Sequence, residues 1–292
     1  MSAALRRRAV LALPYAWLAL FFLVPFAIVL KISLAQTAIG IPPYTPLIEA
    51  GADGWHSAAT GDNYARLVGD DLYALACLNA VKFAAFSTLG CLLLGYPLAY
   101  GIVRAPARHR GVLLLLVILP FWTSFLIRVY AWIGLLKGNG LINNVLMALG
   151  LVQEPLTLLN NAFAIYVGII YSYLPFMVLP LYAQLEKLDP ALLEAAADLG
   201  CRPWQAFLRV TLPLSLPGIA AGALLVFIPA TGEFVIPDLL GGPDTLMIGK
   251  VLWDEFFSNR DWPMASAVAI AMLVLLLLPM AFIRRLLQGE TA

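Results

Sequence analysis

The 292-residue chain is 62% hydrophobic and 12% charged, with a mean hydropathy of +0.89 and a formal net charge of +1. This composition is too apolar for an ordinary soluble domain and predicts a protein embedded in a lipid bilayer, with no nucleic-acid partner. The three cysteines form neither an even set nor a CxxC pair, so no disulfide framework or metal site is expected. The sequence has no Gly-rich phosphate loop ending in Gly-Lys-Ser or Gly-Lys-Thr, so nucleotide hydrolysis would have to come from another chain.

Six stretches of the sequence are apolar enough to cross a bilayer, which takes about 20 mostly apolar residues. The first follows three arginines, as in a signal peptide. It is longer than the roughly 7 to 15 apolar residues of such a peptide, so an uncleaved span is predicted. We predict an all-α integral membrane protein with a single transmembrane domain over residues 1–292. Its spans are expected at about 10–34, 79–103, 112–136, 161–185, 214–238 and 262–283.

The distribution of charge predicts the orientation, because Lys and Arg accumulate in cytoplasmic loops. In the loops and at the ends of the spans, 11 Lys and Arg residues lie on the side of the termini and 5 on the other side. Both termini and the loop at about 186–213 are therefore predicted to be cytoplasmic.

Acidic residues are distributed the other way, with 11 outside and 5 inside, so the external face carries a formal charge of −6. Negative potential concentrates cations, which favours an organic cation as cargo. The alternative is that acidic external loops merely complement the basic cytoplasmic ones. Four external acids are candidates for attracting a cation or contacting a binding protein, namely Asp238, Asp244, Asp254 and Glu255.

The predicted cytoplasmic loop has clear helix signals. Asp189 can cap a helix that begins at Pro190, and Gly200 is suited to the position just past its end. A second helix can begin at Pro203, with an apolar stripe formed by Trp204, Phe207 and Leu208. From these signals alone, the loop could pack against its own bundle or dock on a partner.

The fifth span is interrupted by proline and glycine and contains Glu233, an ionisable residue at membrane depth. Interrupted spans and buried charges are typical of transport sites. At about 1.5 Å per residue, Glu233 lies about 24 Å along its span, and Arg128 about 25 Å along the third. Three interpretations stay open: Glu233 pairs with Arg128, it is solvated at the external rim, or it lines the pathway and binds an ammonium group.

Aromatic residues in the spans are a second group of pathway candidates, because cation-π contacts are strongest in desolvated sites. Most such residues serve as membrane-interface anchors or as packing. The pathway candidates are Trp122, Tyr171 and Tyr173.

The cytoplasmic loop also carries a longer pattern. Glu194-Ala195-Ala196 is followed, after three further residues, by Gly200. After nine more residues comes the aliphatic Val210, and after one more residue the pair Leu212-Pro213. This pattern resembles the cytoplasmic loop of ABC importer permeases, which docks in a groove of the ATP-hydrolysing subunit. The resemblance implies a type I importer permease that is not itself an enzyme and has no catalytic residues, with ATP and Mg²⁺ bound by the partner ATPase. The coupling residues it implies are Glu194, Ala195, Ala196, Asp198, Gly200, Arg202 and Pro213.

Three further segments narrow the resemblance. Residues 227–237, 239–244 and 259–263 are similar to the PotH/PotB-type permeases of bacterial polyamine importers, within the binding-protein-dependent transport inner-membrane component family. The resemblance implies a multi-pass protein of the bacterial inner membrane that moves putrescine or spermidine by alternating access. It also implies three partners: a second, similar permease, an ATPase homodimer and a periplasmic polyamine-binding protein.

Other functions remain possible on the sequence alone. A permease of the same class could import an iron complex, thiamine or another solute, and the negative exterior argues only against anions. A secondary transporter working alone would need a network of carboxylates that Glu233 hardly provides. An enzyme is disfavoured because no catalytic constellation converges at one depth. The choice between putrescine and spermidine depends on side-chain spacing across the pathway and on the binding protein.

Overall fold

A computed structural model describes residues 3–51 and 54–289. Two of the acids counted above, Asp53 and Glu290, lie outside the described residues. The regular elements of the described chain are helices, apart from an isolated bridge between Thr37 and Tyr44 and one antiparallel hairpin in the first predicted external loop, formed by β1 (Ile48–Gly51) and β2 (Gly54–Ser57). The chain divides into two compact units, Met1–Ala74 with Val251–Leu275 and Leu75–Lys250 with Leu276–Ala292.

The helices have the following bounds. Up to the end of the third predicted span they are α1 (Ala3–Leu18), α2 (Val24–Ser33), α3 (Asp62–Gly69), α4 (Asp71–Arg104), α5 (Ala107–Ile118) and α6 (Phe125–Leu136). From there to the bend before the fifth predicted span they are α7 (Leu141–Ala148), α8 (Ala162–Leu185), α9 (Ala191–Asp198), α10 (Pro203–Ala206) and α11 (Leu212–Leu214). The remainder are α12 (Leu216–Thr231), α13 (Val235–Leu240), α14 (Ile248–Trp253) and α15 (Trp262–Gly289).

Short irregular helical segments join several of these elements. The π-helical segments are Ala19–Leu23, Phe207–Thr211 and Asp254–Ser258, and the 3₁₀ turns are Leu119–Trp122 and Pro243–Thr245.

Within the described chain, four helical stretches are long and apolar enough to cross a membrane: Val10–Ser33, Asp71–Arg104, Phe125–Ala148 and Ala162–Leu185. A fifth crossing forms if Pro203–Leu214 and Leu216–Thr231, which meet at a bend of 62°, are taken as one broken span. In the region of the sixth predicted span, α15 has 28 residues, and its first part, Trp262–Leu277, is apolar.

The region of the third predicted span, 112–136, is not one continuous helix. Helix α5 ends at Ile118, and after the 3₁₀ turn the backbone is extended at Thr123 and Ser124 before α6 begins. The Thr123 hydroxyl donates to the Pro120 carbonyl oxygen at 2.8 Å, a local bond that competes with helical pairing. Each of α5 and α6 has 12 residues, so neither is long enough to cross a bilayer alone.

The core of the second unit lies where α8 packs against α12. A Cβ atom on Gly222 would lie 2.7 Å from the Met177 sulfur, and one on Gly218 would lie 2.7 Å from Cβ of Gln184. Small residues at these positions let the two helices approach closely, as in other membrane bundles. Helix α4 joins the same core through Cys91 and Tyr96. This packing supports both ends of the fifth predicted span, next to the predicted cytoplasmic loop before it and Glu233 beyond it.

Candidate functional site

The predicted cytoplasmic loop begins with helix α9, which is fixed at both ends by local interactions. The Asp189 carboxylate accepts a hydrogen bond of 3.0 Å from the Ala191 N–H, which caps the first turn. At the other end Gly200 has a φ of +79°, and the N–H of Cys201 bonds to the Ala196 carbonyl. A left-handed residue of this kind ends a helix and turns the chain toward α10.

The Glu-Ala-Ala motif is divided between two faces of α9. Glu194 and Ala195 are exposed, whereas Ala196 is buried against the rest of the chain. The Glu194 carboxylate has no hydrogen bond or ion pair within the described residues. The motif therefore exposes the Glu194 carboxylate at the surface of α9, next to the small residue Ala195, which allows another protein surface to come close.

The remaining predicted coupling residues are also exposed, namely Asp198, Gly200, Arg202 and Pro213. Large apolar side chains are exposed beside them at Leu199, Trp204 and Leu208, with fractional exposures of 85%, 59% and 50%. Exposed apolar groups rimmed by charged ones are typical of a surface that binds another protein.

One residue of the predicted apolar stripe points elsewhere. The Phe207 ring lies inside the unit, at 5.5 Å from the Tyr96 ring and 5.6 Å from the Tyr100 ring, both in edge-to-face geometry. The stripe therefore divides, with Trp204 and Leu208 on the outer surface and Phe207 attached to helix α4.

At the other end of the fifth span, Glu233 lies in a break between α12 and α13. Gly232 and Phe234, on either side of it, leave the helical conformation. The backbone of Gly249 packs against this break, because a Cβ there would lie 2.7 Å from the Glu233 carbonyl oxygen and closer still to that of Gly232. The break is thus a fixed feature held by helix α14.

The Glu233 side chain is buried, with 7% exposure, and both of its oxygens accept hydrogen bonds. Oε2 accepts from the Tyr173 hydroxyl at 2.5 Å. Oε1 accepts from the backbone N–H groups of Val235 and Ile236 at 3.0 and 3.4 Å, at the start of α13. A carboxylate at a helix N-terminus also interacts favourably with the helix dipole.

Arg128 does not pair with Glu233: no ion pair within 4.0 Å joins them in the described part of the chain. The guanidinium carbon of Arg128 lies 4.9 Å from the Phe121 ring centroid and 5.7 Å from that of Phe125. The arginine is 9% exposed, and its Nε and Nη1 atoms are buried without a hydrogen-bond partner in the described residues. The Arg128 guanidinium therefore lies near the rings of Phe121 and Phe125 and not beside the Glu233 carboxylate.

The three aromatic pathway candidates have different surroundings in the structure. Tyr173 binds Glu233, whereas the Tyr171 ring packs edge-to-face on Trp132 at 5.4 Å. Trp122 is 75% exposed at the break in the third predicted span. No hydrogen bond or ring contact between described residues joins Tyr171 or Trp122 to Glu233.

The four acids predicted to be external differ in their surroundings. Asp238 forms an ion pair of 2.7 Å with Lys250, and Asp244 is exposed without a hydrogen bond among the residues described. Glu255 accepts hydrogen bonds from the Tyr73 hydroxyl at 2.7 Å and from the Asn259 amide at 2.9 Å, and Asp254 is half-buried. Of the two acids in the second unit, Asp244 has the carboxylate that is free to meet a ligand or partner.

Tyr96 and Ser215 were not among the sequence candidates, yet their hydroxyl groups form a buried hydrogen bond of 2.9 Å. Ser215 lies at the bend that precedes α12. The two prolines on either side of it, Pro213 and Pro217, are the sequence signal that could have marked the bend.

Comparisons with known proteins agree with this architecture. The family model described as the binding-protein-dependent transport system inner membrane component matches residues 91–290. The chain is 42% identical over 267 residues to the spermidine/putrescine transport system permease protein PotB of Haemophilus influenzae, covering 91% of this chain and 89% of that protein. It is 44% identical over 217 residues to PotB of Escherichia coli, covering 74% of this chain and 78% of that protein.

A solved structure has a similar fold at low sequence identity. One chain of a bacterial alginate ABC transporter in complex with an alginate pentasaccharide-bound periplasmic protein aligns with a TM-score of 0.73 at 20% identity, over 99% of this chain and 97% of that chain. Together with the family match over residues 91–290, these findings show that the chain belongs to the binding-protein-dependent transport system inner membrane components, the permease subunits of ABC importers.

Proposed function

We propose that this chain is one permease subunit of an ATP-driven importer that moves polyamines, putrescine or spermidine, into the cytoplasm. The observation that carries the proposal is the complete Glu-Ala-Ala pattern on helix α9, which presents Glu194 and Ala195 outward next to exposed apolar side chains. A docking loop needs an outward carboxylate and a small neighbour, whereas a loop that only packed on its own bundle would bury them.

The partner at this loop is an ATPase dimer, which binds ATP and Mg²⁺. The permease itself carries out no catalysis; it changes conformation when the ATPase moves the loop. Ala195 permits close approach from outside, while the buried Ala196 lets α9 lie close to its own bundle. Gly200 then turns the chain into α10 and the rest of the loop.

Support for a polyamine cargo comes from Glu233 and from the relatives. The hydrogen-bond donors of Glu233 are all neutral, so an ammonium group of the cargo would supply the cationic partner that these donors do not. The PotB proteins of Haemophilus influenzae and Escherichia coli are named as spermidine/putrescine permeases. The acidic external face would raise the local concentration of a di- or tri-cation before it enters.

In the assembly we propose, a second, similar permease completes the pathway and a periplasmic polyamine-binding protein delivers the cargo. Both termini and the α9 loop face the cytoplasm, where ATP is available. A loaded binding protein docks outside, ATP closes the ATPase dimer, and the two permeases become open to the outside. Hydrolysis returns them to the inward-open state, so that transport occurs by alternating access.

The test is uptake into liposomes that contain the whole assembly, with labelled putrescine and labelled spermidine. ATP-driven uptake of either amine is expected, and uptake should be lost in Glu194→Ala. Glu154→Ala, which removes an exposed acid from a predicted external loop, is the matched control and should transport normally.

Two results would contradict the proposal. Accumulation of an iron complex or thiamine, with no uptake of either amine, would mean that the chain belongs to an ABC importer with a different cargo. Normal amine uptake without a co-purifying ATPase would instead indicate a transporter that works alone.

A further inference from the structure

The predicted cytoplasmic loop at about 186–213, here called the coupling loop, joins the fifth predicted span at a sharp bend around Ser215. Helices on either side of this residue differ in direction by 62°. Pro217 lacks an N–H group, so the Pro213 carbonyl loses its usual helical donor at this point. A bend of this kind is deformable unless other parts of the protein hold it.

Helix α4 holds the bend through Tyr96. The Ser215 hydroxyl lies 2.9 Å from the Tyr96 hydroxyl and 2.8 Å from the Leu212 carbonyl oxygen. A carbonyl oxygen only accepts, so the single hydroxyl proton of Ser215 goes to Leu212 and Tyr96 is the donor to Ser215. Tyr96 is 8% exposed and Ser215 is fully buried, so water does not compete for this bond.

Helix α8 holds the other side of the same bend. The Gln184 side-chain amide donates to the Leu214 carbonyl oxygen at 3.0 Å. Gly218 packs directly against the Gln184 stem, where a Cβ would lie 2.7 Å from the glutamine Cβ. Two predicted membrane-spanning helices therefore support the bend, one on each side of Ser215.

Tyr96 also contacts the coupling loop before the bend. Its ring packs edge-to-face on Phe207 at 5.5 Å, and Phe207 begins the π-helical segment that follows α10. One side chain thus contacts the loop through its ring and the bend through its hydroxyl.

We propose that Tyr96 is a positioning residue that makes the coupling loop and the fifth span move as one body. If the bend at Ser215 were free, a displacement of α9 and α10 would be absorbed there. Because Tyr96 ties Phe207 and Ser215 to the same point on α4, the displacement reaches α12 and the break that holds Glu233. This inference rests on the proposed function, since it assumes that an ATPase moves the loop.

The test compares Tyr96→Phe with Tyr100→Phe in the reconstituted assembly, measuring polyamine uptake and ATP hydrolysis together. Both substitutions keep a ring against Phe207, but only the first removes a hydrogen bond found in the described chain. We expect Tyr96→Phe to lower the amount of amine moved per ATP hydrolysed about fivefold. Tyr100→Phe should keep the wild-type ratio.

Ser215→Ala removes the same bond from its other partner and should reproduce the effect, with the double variant no worse than either single one. A misfolded variant would lose ATPase stimulation as well as uptake, whereas loosened coupling lowers only their ratio. A Tyr96→Phe ratio equal to that of Tyr100→Phe would overturn the inference.

A second measurement does not depend on the cargo. Hydrogen exchange at residues 212–219 of the purified assembly should be faster in Tyr96→Phe than in Tyr100→Phe, since the bend loses a support. Equal exchange would overturn the inference even if the wild-type assembly transported no polyamine. Absence of polyamine uptake by the wild type, with faster exchange in Tyr96→Phe, would instead refute the proposed cargo alone.

Discussion

The Tyr173 hydroxyl donates a hydrogen bond of 2.5 Å to Oε2 of Glu233, from helix α8 to the break between α12 and α13. The remaining donors to this carboxylate are backbone N–H groups of Val235 and Ile236. All three donors are neutral, so they satisfy the oxygens without forming an ion pair. Glu233 thus combines a fixed geometry with a carboxylate that a cationic cargo can approach as a partner.

Glu233→Gln should lower polyamine uptake about tenfold, because a hydrogen bond to a charged group is worth about 1.5 kcal/mol more than none. Glutamine has nearly the same shape and still accepts from the N–H groups of α13, so the substitution mainly removes charge. The measurement is initial uptake at limiting amine by the reconstituted assembly.

Tyr173→Phe is the matched control for that experiment, because it removes the hydrogen bond and keeps the carboxylate. Its uptake should stay close to that of the wild type. If Glu233 were only a structural cap for α13, Gln would transport normally at limiting substrate. If the hydrogen bond itself were what transport required, Phe would be as damaging as Gln.

The family and the all-α fold could be predicted from the sequence, and the comparisons confirm both. Helix signals in the predicted cytoplasmic loop were also informative, because Asp189 and Gly200 act on neighbours one to a few residues away. The partners of Glu233 could not be predicted in the same way. Tyr173 is 60 residues away, and apolar periodicity does not specify which rotamer brings two distant side chains together.

The predicted third span shows a second limit of the sequence. Every residue between Gly111 and Leu136 except Arg128 suits a membrane, so hydropathy alone predicts one helix there. The extended backbone at Thr123 and Ser124 interrupts it. Hydropathy reports the solvent that side chains prefer and carries little information about local backbone conformation.

Arg128→Met should leave the isolated subunit at least as stable as the wild type, or raise its free energy of unfolding by about 1 kcal/mol. The reason is that a buried charge without a hydrogen-bonded partner costs free energy, which an apolar side chain of similar length removes. Methionine also keeps a favourable contact with the rings of Phe121 and Phe125. Thermal unfolding in detergent measures the effect.

A control for this prediction is Arg66→Met, which removes an exposed arginine paired with Asp261 at 3.4 Å. An exposed pair contributes about 0 to 1 kcal/mol, so a slight loss is expected there. Destabilisation of the subunit by more than about 2 kcal/mol in Arg128→Met would mean that the guanidinium has a partner after all.

Gly200→Ala should destabilise the turn after α9 by about 1 kcal/mol and weaken retention of the ATPase. The φ of +79° is unfavourable for any residue with a Cβ, although no atom lies within 4 Å of where that Cβ would be. Gly138→Ala is the matched control, because its site is equally open and its φ is not positive. Co-purification of the ATPase in mild detergent is the measurement, and equal yields from the two variants would contradict the prediction.

Gly249→Ala should be much more damaging than either of those substitutions, because its Cβ would meet backbone rather than open space. The new atom would lie 2.7 Å from the Glu233 carbonyl oxygen and nearer still to that of Gly232. Helix α14 must then move away from the break, at a cost of about 3 kcal/mol, and Glu233 moves with it. The unfolding temperature and the amine uptake should therefore both fall.

Gly134→Ala, at an open helical site, should instead raise stability by about 0.5 kcal/mol. If Gly249→Ala unfolded and transported like Gly134→Ala, the break at Glu233 would not be held by α14, and the fixed geometry of the carboxylate would need another cause.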